Sequence, residues 1–141
     1  MNRQTIENVL MEIGMPVNLK GFTYITDAVM LLDTPEWKNP KWTAMYYKIA
    51  SMNGDTPTRV ERAIRSAFTS TRHRVANYDM IEHYIGFANC ENSNSITYLY
   101  KNIKMDYPET VQPSFDDLEI TADTIKEIVR QTLKEMLKEI A

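Results

Sequence analysis

The sequence is poor in cysteine, in glycine and in long apolar runs. A single cysteine, Cys90, among 141 residues excludes an internal disulfide framework and a zinc site built from several cysteines. The longest unbroken apolar run, Ala28 to Leu32, is far shorter than the roughly 20 residues that span a bilayer. No apolar stretch follows Met1, so we expect no secretory signal. We therefore expect a globular protein of the reducing cytoplasm that does not contact a membrane.

The sequence also lacks the motifs of common enzymes. It has no Gly-rich phosphate-binding loop and no G-x-S-x-G nucleophile motif. His73 and His83 stand alone, without the spacing of paired metal ligands, and Cys90 has no histidine motif beside it. These absences predict a protein that is not an enzyme, with no cofactor, no metal site, no catalytic residues and no small-molecule substrate.

Apolar residues recur at helical spacing along nearly the whole chain, and no alternating strand pattern competes with them. The pattern predicts six helices within residues 1–106. A polar segment with two prolines, residues 107–120, is typical of a linker, and a seventh, amphipathic helix follows in residues 121–141. The predicted fold is therefore all-α: a six-helix domain that contains a helix-turn-helix, plus a C-terminal amphipathic helix.

The helix-turn-helix is predicted where the third and fourth helices meet. The third runs from about Lys41 to Asn53, and the fourth continues to about His73. They are joined by Gly54-Asp55-Thr56, a turn of three residues that contains glycine. Thr56 at the N-cap and proline directly after it form a strong helix start.

The fourth helix has two distinct faces. One is apolar and includes small residues that would let the helix sit close to its scaffold; its members are Val60, Ala63, Ile64, Ala67 and Phe68. The other is polar, and the candidate DNA-binding residues are that face and its two N-terminal neighbours: Thr58, Arg59, Glu61, Arg62, Arg65, Thr69 and Arg72. Arginine can donate two hydrogen bonds to guanine, glutamate can accept a hydrogen bond from cytosine, and threonine can donate a hydrogen bond to a phosphate. A merely solvated basic face is the alternative interpretation.

Charge is distributed unevenly, which supports the DNA-binding interpretation. Residues 1–106 hold 12 basic and 11 acidic side chains, whereas residues 107–141 hold 4 and 8. Within the nearly neutral first part, the stretch from Arg59 to Arg74 has five arginines and only one glutamate. Phosphate attraction acts over roughly 8 Å at physiological salt, so this local field matters more than the net charge of −3.

Three stretches resemble the C-terminal DNA-binding domain of the master sporulation response regulator of endospore-forming bacteria. The family's E-I-G-x-P element is similar to Met11-Glu12-Ile13-Gly14-Met15-Pro16. Its I-K-G-Y-x-Y element is similar to Leu19-Lys20-Gly21-Phe22-Thr23-Tyr24, and its following E-A or similar pair is similar to Asp27-Ala28. The stretch from Thr56 to Arg65 nearly repeats the family's recognition helix, and Asn94-Ser95-Ile96 is similar to its N-S-E-F element. The likeness spans about Ile6 to Lys104.

This resemblance implies a six-helix DNA-binding domain that binds a short DNA box, often as tandem copies. It implies that Arg62 and Arg65 read bases, that Glu61 accepts from a base or water, and that Thr58 and Arg59 lie near phosphates or bases. The sequence departs from the family after Phe68, where Arg72 replaces an aromatic residue. The chain begins almost at the first helix, so we expect no receiver domain, which leaves the input signal open.

The C-terminal helix cannot be traced to the family. Its apolar stripe consists of Ile125, Ile128, Val129, Leu133, Met136, Leu137 and Ile140, with rows of basic and acidic residues beside it. This stripe needs a partner surface, which is its own domain, a second copy or another protein. We predict a homodimer through residues 121–140; a membrane surface is disfavoured because the region is net negative.

Together these observations predict a sequence-specific transcription regulator that binds double-stranded DNA, with recognition helix 57–73 in the major groove. The alternative is a protein-interaction module, or an antagonist of a related regulator, that acts through the C-terminal helix.

Overall fold

The computed structural model describes residues 1–109 and 126–137, and every element longer than a single turn in them is an α-helix. The prediction of an all-α fold is confirmed. The helices are α1 (Arg3–Glu12), α2 (Lys20–Leu32), α3 (Trp42–Asn53), α4 (Pro57–Arg74), α5 (Tyr78–Tyr84) and α6 (Asn92–Asp106), with one 3-10 turn at Pro35–Trp37 between α2 and α3. Residues 126–137 form a further helix, which we call the tail helix.

The chain divides into two units, Met1–Pro108 and Glu109–Ala141. The predicted C-terminal helix over 121–141 falls in the second unit, and only its central residues, 126–137, are among those described. Most of the predicted linker, and the stripe residues Ile125 and Ile140, lie outside them. Within the described residues, no helix combines the length and apolar character that a membrane span requires.

Helix α2 lies at the centre of the first unit. Nine of its thirteen residues are buried, including the polar Thr26 and Asp27. The carboxylate of Asp27 accepts a hydrogen bond from Arg3 of α1 at 2.8 Å and another from Asn53 of α3 at 2.9 Å. A buried carboxylate is costly unless it is paired in this way. Asp27 therefore connects three helices within the core, and one of the three is the first helix of the helix-turn-helix.

The position of α4 is set by an unusually close approach to α2. A Cβ atom added at Gly21 would lie 2.3 Å from the carbonyl oxygen of Ala63 and 2.6 Å from the Cβ of Ala67. Only a glycine on α2 opposite small residues on α4 permits this distance. The expectation that Ala63 and Ala67 let the fourth helix sit close to its scaffold is confirmed.

Candidate nucleic-acid interface

The turn between α3 and α4 has the three residues expected from the sequence. Gly54 ends α3 in the left-handed region, with φ of 64°. Its N–H donates to the carbonyl oxygen of Ala50, and the N–H of Asp55 donates to the same oxygen at 3.0 Å. These bonds satisfy a carbonyl that the end of the helix leaves open. The backbone therefore reverses within three residues, as a helix-turn-helix requires.

The start of α4 is capped by a side chain and tied to α2. The hydroxyl of Thr56 accepts a hydrogen bond from the N–H of Arg59 at 3.3 Å, and Pro57 occupies the first turn. The carboxylate of Asp55 accepts from the N–H of Thr56 at 2.8 Å and from the hydroxyl of Tyr24 at 2.5 Å. The turn is thus fixed from both sides, which restrains the direction in which α4 leaves it.

The Tyr24–Asp55 pair changes the pKa values of both groups. Hydrogen bonds from Tyr24 and from the N–H of Thr56 hold the pKa of the Asp55 carboxyl below its usual range. Burial, followed by the hydrogen bond to Asp55, raises the pKa of Tyr24 to about 12. The neutral phenol and the ionised carboxylate are therefore the forms that the folded turn favours.

The inner and outer faces of α4 divide as the helical spacing predicts. Its buried residues are Val60, Ile64, Ala67, Phe68 and Thr71. Five of the predicted DNA-binding residues are exposed together on the outer side: Thr58, Arg59, Arg62, Arg65 and Thr69. The structure thus places most of the predicted set on one accessible surface of a helix about 27 Å long, at 1.5 Å per residue.

The exposed arginines differ in their partners. Arg65 lies 3.4 Å from the carboxylate of Glu61, one turn earlier, and Arg59 lies 4.0 Å from Asp55. Arg62 forms no ion pair with any residue that the structure describes. Glu61 is itself half-buried, and its backbone carbonyl accepts a hydrogen bond from Asn92 of α6 at 3.0 Å. Glu61 therefore restrains Arg65, whereas Arg62 is directed to solvent with its full charge.

A shallow groove of about 540 Å³ runs along this surface. It is lined by Arg62, Arg65, Ser66, Thr69, Ser70 and His73. Three of these, Ser66, Ser70 and His73, were not among the candidates from the sequence. Ser66 follows Arg62, Ser70 follows Ser66 and His73 follows Thr69, each by four residues, and this helical spacing is the signal that would have identified them. Hydroxyl groups and an imidazole extend the polar surface towards the end of α4.

Arg72 does not join this surface, because its guanidinium is used inside the domain. Its Nε donates to the carbonyl of Gly86 at 2.8 Å, and one terminal nitrogen donates to the carbonyl of Ile85 at 3.1 Å and the hydroxyl of Ser95 at 2.6 Å. The guanidinium also lies over the ring of Phe68, 5.5 Å from its centroid. The helical spacing placed Arg72 on the polar face, whereas the structure gives it a role in joining α4 to the α5–α6 segment.

The described residues contain no group of three or more His, Cys, Asp or Glu side chains placed to hold a metal ion. His83 lies 2.7 Å from Asp106, which also accepts from the hydroxyl of Tyr84 at 2.8 Å. These bonds join α5 to the end of α6. The hydrogen bonds from His83 and Tyr84 lower the pKa of the Asp106 carboxyl. The contact between His83 and Asp106 therefore joins two helices.

Comparison with known families agrees with this geometry. A family model described as "Sporulation initiation factor Spo0A C terminal" matches residues 6–106, which include all six helices of the first unit except the first residues of α1. The match covers the helix-turn-helix, the capped turn and the whole of α4. The chain belongs to the family of the C-terminal domain of the sporulation initiation factor Spo0A, a family of DNA-binding regulatory domains.

Proposed function

We propose that this protein is a sequence-specific transcription regulator that inserts the N-terminal half of α4 into the major groove of double-stranded DNA. The observation that carries the proposal is the pair Arg62 and Arg65. Both are exposed, they lie one turn apart on one face, and the helix that bears them is fixed by a capped turn and a close contact with α2. Rigid placement is what base readout demands, since hydrogen bonds to base edges tolerate little displacement.

Each exposed side chain has a role in this arrangement. Arg62 and Arg65 read guanines through their O6 and N7 atoms, and Glu61 orients Arg65 or accepts from cytosine. Thr58 and Arg59, at the start of the helix, contact phosphates through their side chains. Thr69 and the groove residues Ser66 and Ser70 contact the backbone further along. Arg72 is not part of the proposed interface, because its hydrogen bonds hold the domain together.

The test begins with selection of bound duplexes from a random DNA pool, followed by titration of the selected box. Arg62→Ala and Arg65→Ala should each cost about 1–3 kcal/mol at that box and relax the preference at one base pair. The matched control is Arg74→Ala, which removes the same charge from an exposed position at the far end of α4. The control should weaken binding to all duplexes alike. If both Arg62 and Arg65 variants bind every duplex as the parent does, the proposed interface is wrong.

The competing function is an interaction module that acts through the tail helix, whose apolar side chains are exposed. Salt distinguishes the two functions. A protein that neutralises several phosphates loses affinity steeply as salt rises, because released counterions drive the binding. A selection that yields no preferred sequence, with weak binding that does not depend on salt, would favour the interaction module.

A further inference from the structure

The tail helix has an apolar face that is exposed to solvent. Its five apolar residues are 52% to 67% exposed: Ile128, Val129, Leu133, Met136 and Leu137. At 3.6 residues per turn they occupy about half of the helix circumference, centred near Val129 and Met136. A helix of about 12 residues is only marginally stable alone in water, and most helical stability in proteins comes from burying such a face. The tail helix therefore needs a complementary surface.

Two polar residues lie within this arc: Thr132 and, at the start of the described helix, Lys126. Thr132 lies between the apolar positions, and its hydroxyl donates to the carbonyl oxygen of Ile128 at 2.8 Å. A hydroxyl that lost water without a partner would oppose burial, whereas this one needs none. The Thr132 hydroxyl can therefore be removed from water without leaving an unpaired donor.

The charges beside the arc indicate which surface covers it. Arg130 follows one edge, next to Leu137, and Lys134 lies further round on the same side; Lys126 lies just inside this edge, between Leu133 and Leu137. The opposite edge, next to Ile128, carries Glu135. When two identical helices pair in parallel, each edge meets the partner's opposite edge; in antiparallel pairing each edge meets its own copy. Parallel pairing brings Arg130 towards Glu135, whereas antiparallel pairing brings the two basic edges together.

We propose that two copies of this chain associate through their tail helices in parallel, with Val129 and Met136 of each copy facing the same residues of the other. The association itself stands on the tail helix alone. Its use, which is to hold two DNA-binding units on adjacent boxes, rests on the proposed function of α4.

Cysteine cross-linking tests the pairing and its direction in the full-length chain. In a Cys90→Ser background, Met136→Cys should form a disulfide-linked dimer under mild oxidation, because parallel pairing places this position opposite itself. The matched control is Gln131→Cys, on the opposite side of the helix, which should form no disulfide-linked dimer. Cross-links that form only when Met136→Cys and Val129→Cys chains are mixed would show antiparallel pairing and overturn the proposed direction. A parent chain that sediments as a monomer at about 100 μM would overturn the association.

A pair of charge reversals tests the edges independently. Glu135→Lys should raise the dimer dissociation constant roughly fivefold to tenfold at low salt, because it places like charges along the interface. Glu127→Lys makes the same change on the side away from the arc, and it should alter the constant less than about twofold. Equal effects from the two variants would contradict the parallel arrangement of edges.

DNA binding then tests the use of the dimer. Met136→Asp should abolish association, and it should reduce binding to two adjacent boxes at least tenfold while leaving binding to a single box unchanged. A parent chain that binds paired boxes no more tightly than a single box would refute this use. Failure of the parent to bind a single box would instead refute the function proposed for α4, and cross-linking would still report on the tail helix.

Discussion

Replacing Gly21 with alanine tests the contact that places α4 against α2. The added Cβ would lie 2.3 Å from the carbonyl oxygen of Ala63 and 2.9 Å from its carbonyl carbon. Backbone atoms cannot rotate away as a flexible side chain can, so α2 and α4 must separate by roughly 1 Å to restore ordinary contact. Overpacking of this kind costs about 1–3 kcal/mol.

One effect opposes this cost, because alanine is a better helix former than glycine. In a helix interior the difference is about 1 kcal/mol, and it is smaller in the first turn, where Gly21 lies. The crowding at Ala63 and Ala67 should therefore prevail. We expect Gly21→Ala to lower the free energy of unfolding by about 1–2 kcal/mol.

Urea unfolding followed by circular dichroism measures this change. With a slope of about 1–2 kcal/mol per molar urea for a domain of this size, the midpoint should fall by roughly 1 M. The control is Lys20→Ala, an exposed substitution in the same turn, which should shift the stability by less than about 0.5 kcal/mol. A Gly21→Ala variant as stable as the parent, or more stable, would refute the close approach of α2 and α4.

Three further predictions concern the interior contacts and the readout. Arg72→Ala should destabilise the domain by about 2–3 kcal/mol in urea unfolding, since it leaves two carbonyls and a hydroxyl without their partner, whereas the exposed Arg74→Ala should be nearly neutral. Because the pKa of Tyr24 is raised in the folded protein, the neutral Tyr24 phenol stabilises the fold below pH 10, and this stabilisation is lost as the pH rises through about 12. Tyr24→Phe should therefore remove part of the loss of stability at alkaline pH, which urea unfolding at several pH values would measure. In the proposed interface, Glu61→Gln should reduce discrimination at the base pair that Arg65 reads by roughly 1 kcal/mol, because the ion pair that orients Arg65 is lost. It should also strengthen binding to unrelated duplexes, because a negative charge is removed. Competition titrations would show both effects, and unchanged discrimination would mean that the ion pair does not orient Arg65.

The sequence was sufficient to predict the features that depend on neighbours along the chain. Helical periodicity located all six helices of the first unit, and the glycine, threonine and proline of the turn located the junction of α3 and α4 within a residue. Capping and helical spacing are local, so they can be read from a short window. The pairing of Glu61 with Arg65, four residues apart, is of the same kind, although the sequence interpretation assigned Glu61 only to DNA.

The features that the sequence did not predict depend on residues distant along the chain. Arg72 stands at the edge of the polar face by its spacing, and nothing local shows that the carbonyls of Ile85 and Gly86 lie within its reach. The bond from Tyr24 to Asp55 joins residues 31 positions apart. The prediction of a homodimer through residues 121–140 stays a prediction, since it concerns a surface between copies.

The arginines of α4 illustrate how one helix serves both the fold and the proposed function. Arg72 donates its hydrogen bonds to the α5–α6 segment. Arg65 forms an ion pair with Glu61, whose backbone carbonyl accepts a hydrogen bond from Asn92 of α6. An ion pair that holds Arg65 beside Glu61 would reduce the side-chain entropy that Arg65 loses on pairing with a base. Arg62 has no ion-pair partner among the described residues, so its charge is not compensated by a neighbouring carboxylate there. Under the function proposed for α4, we expect Arg62 to affect the rate of encounter with DNA as well as base readout, and Arg65 to affect mainly specificity.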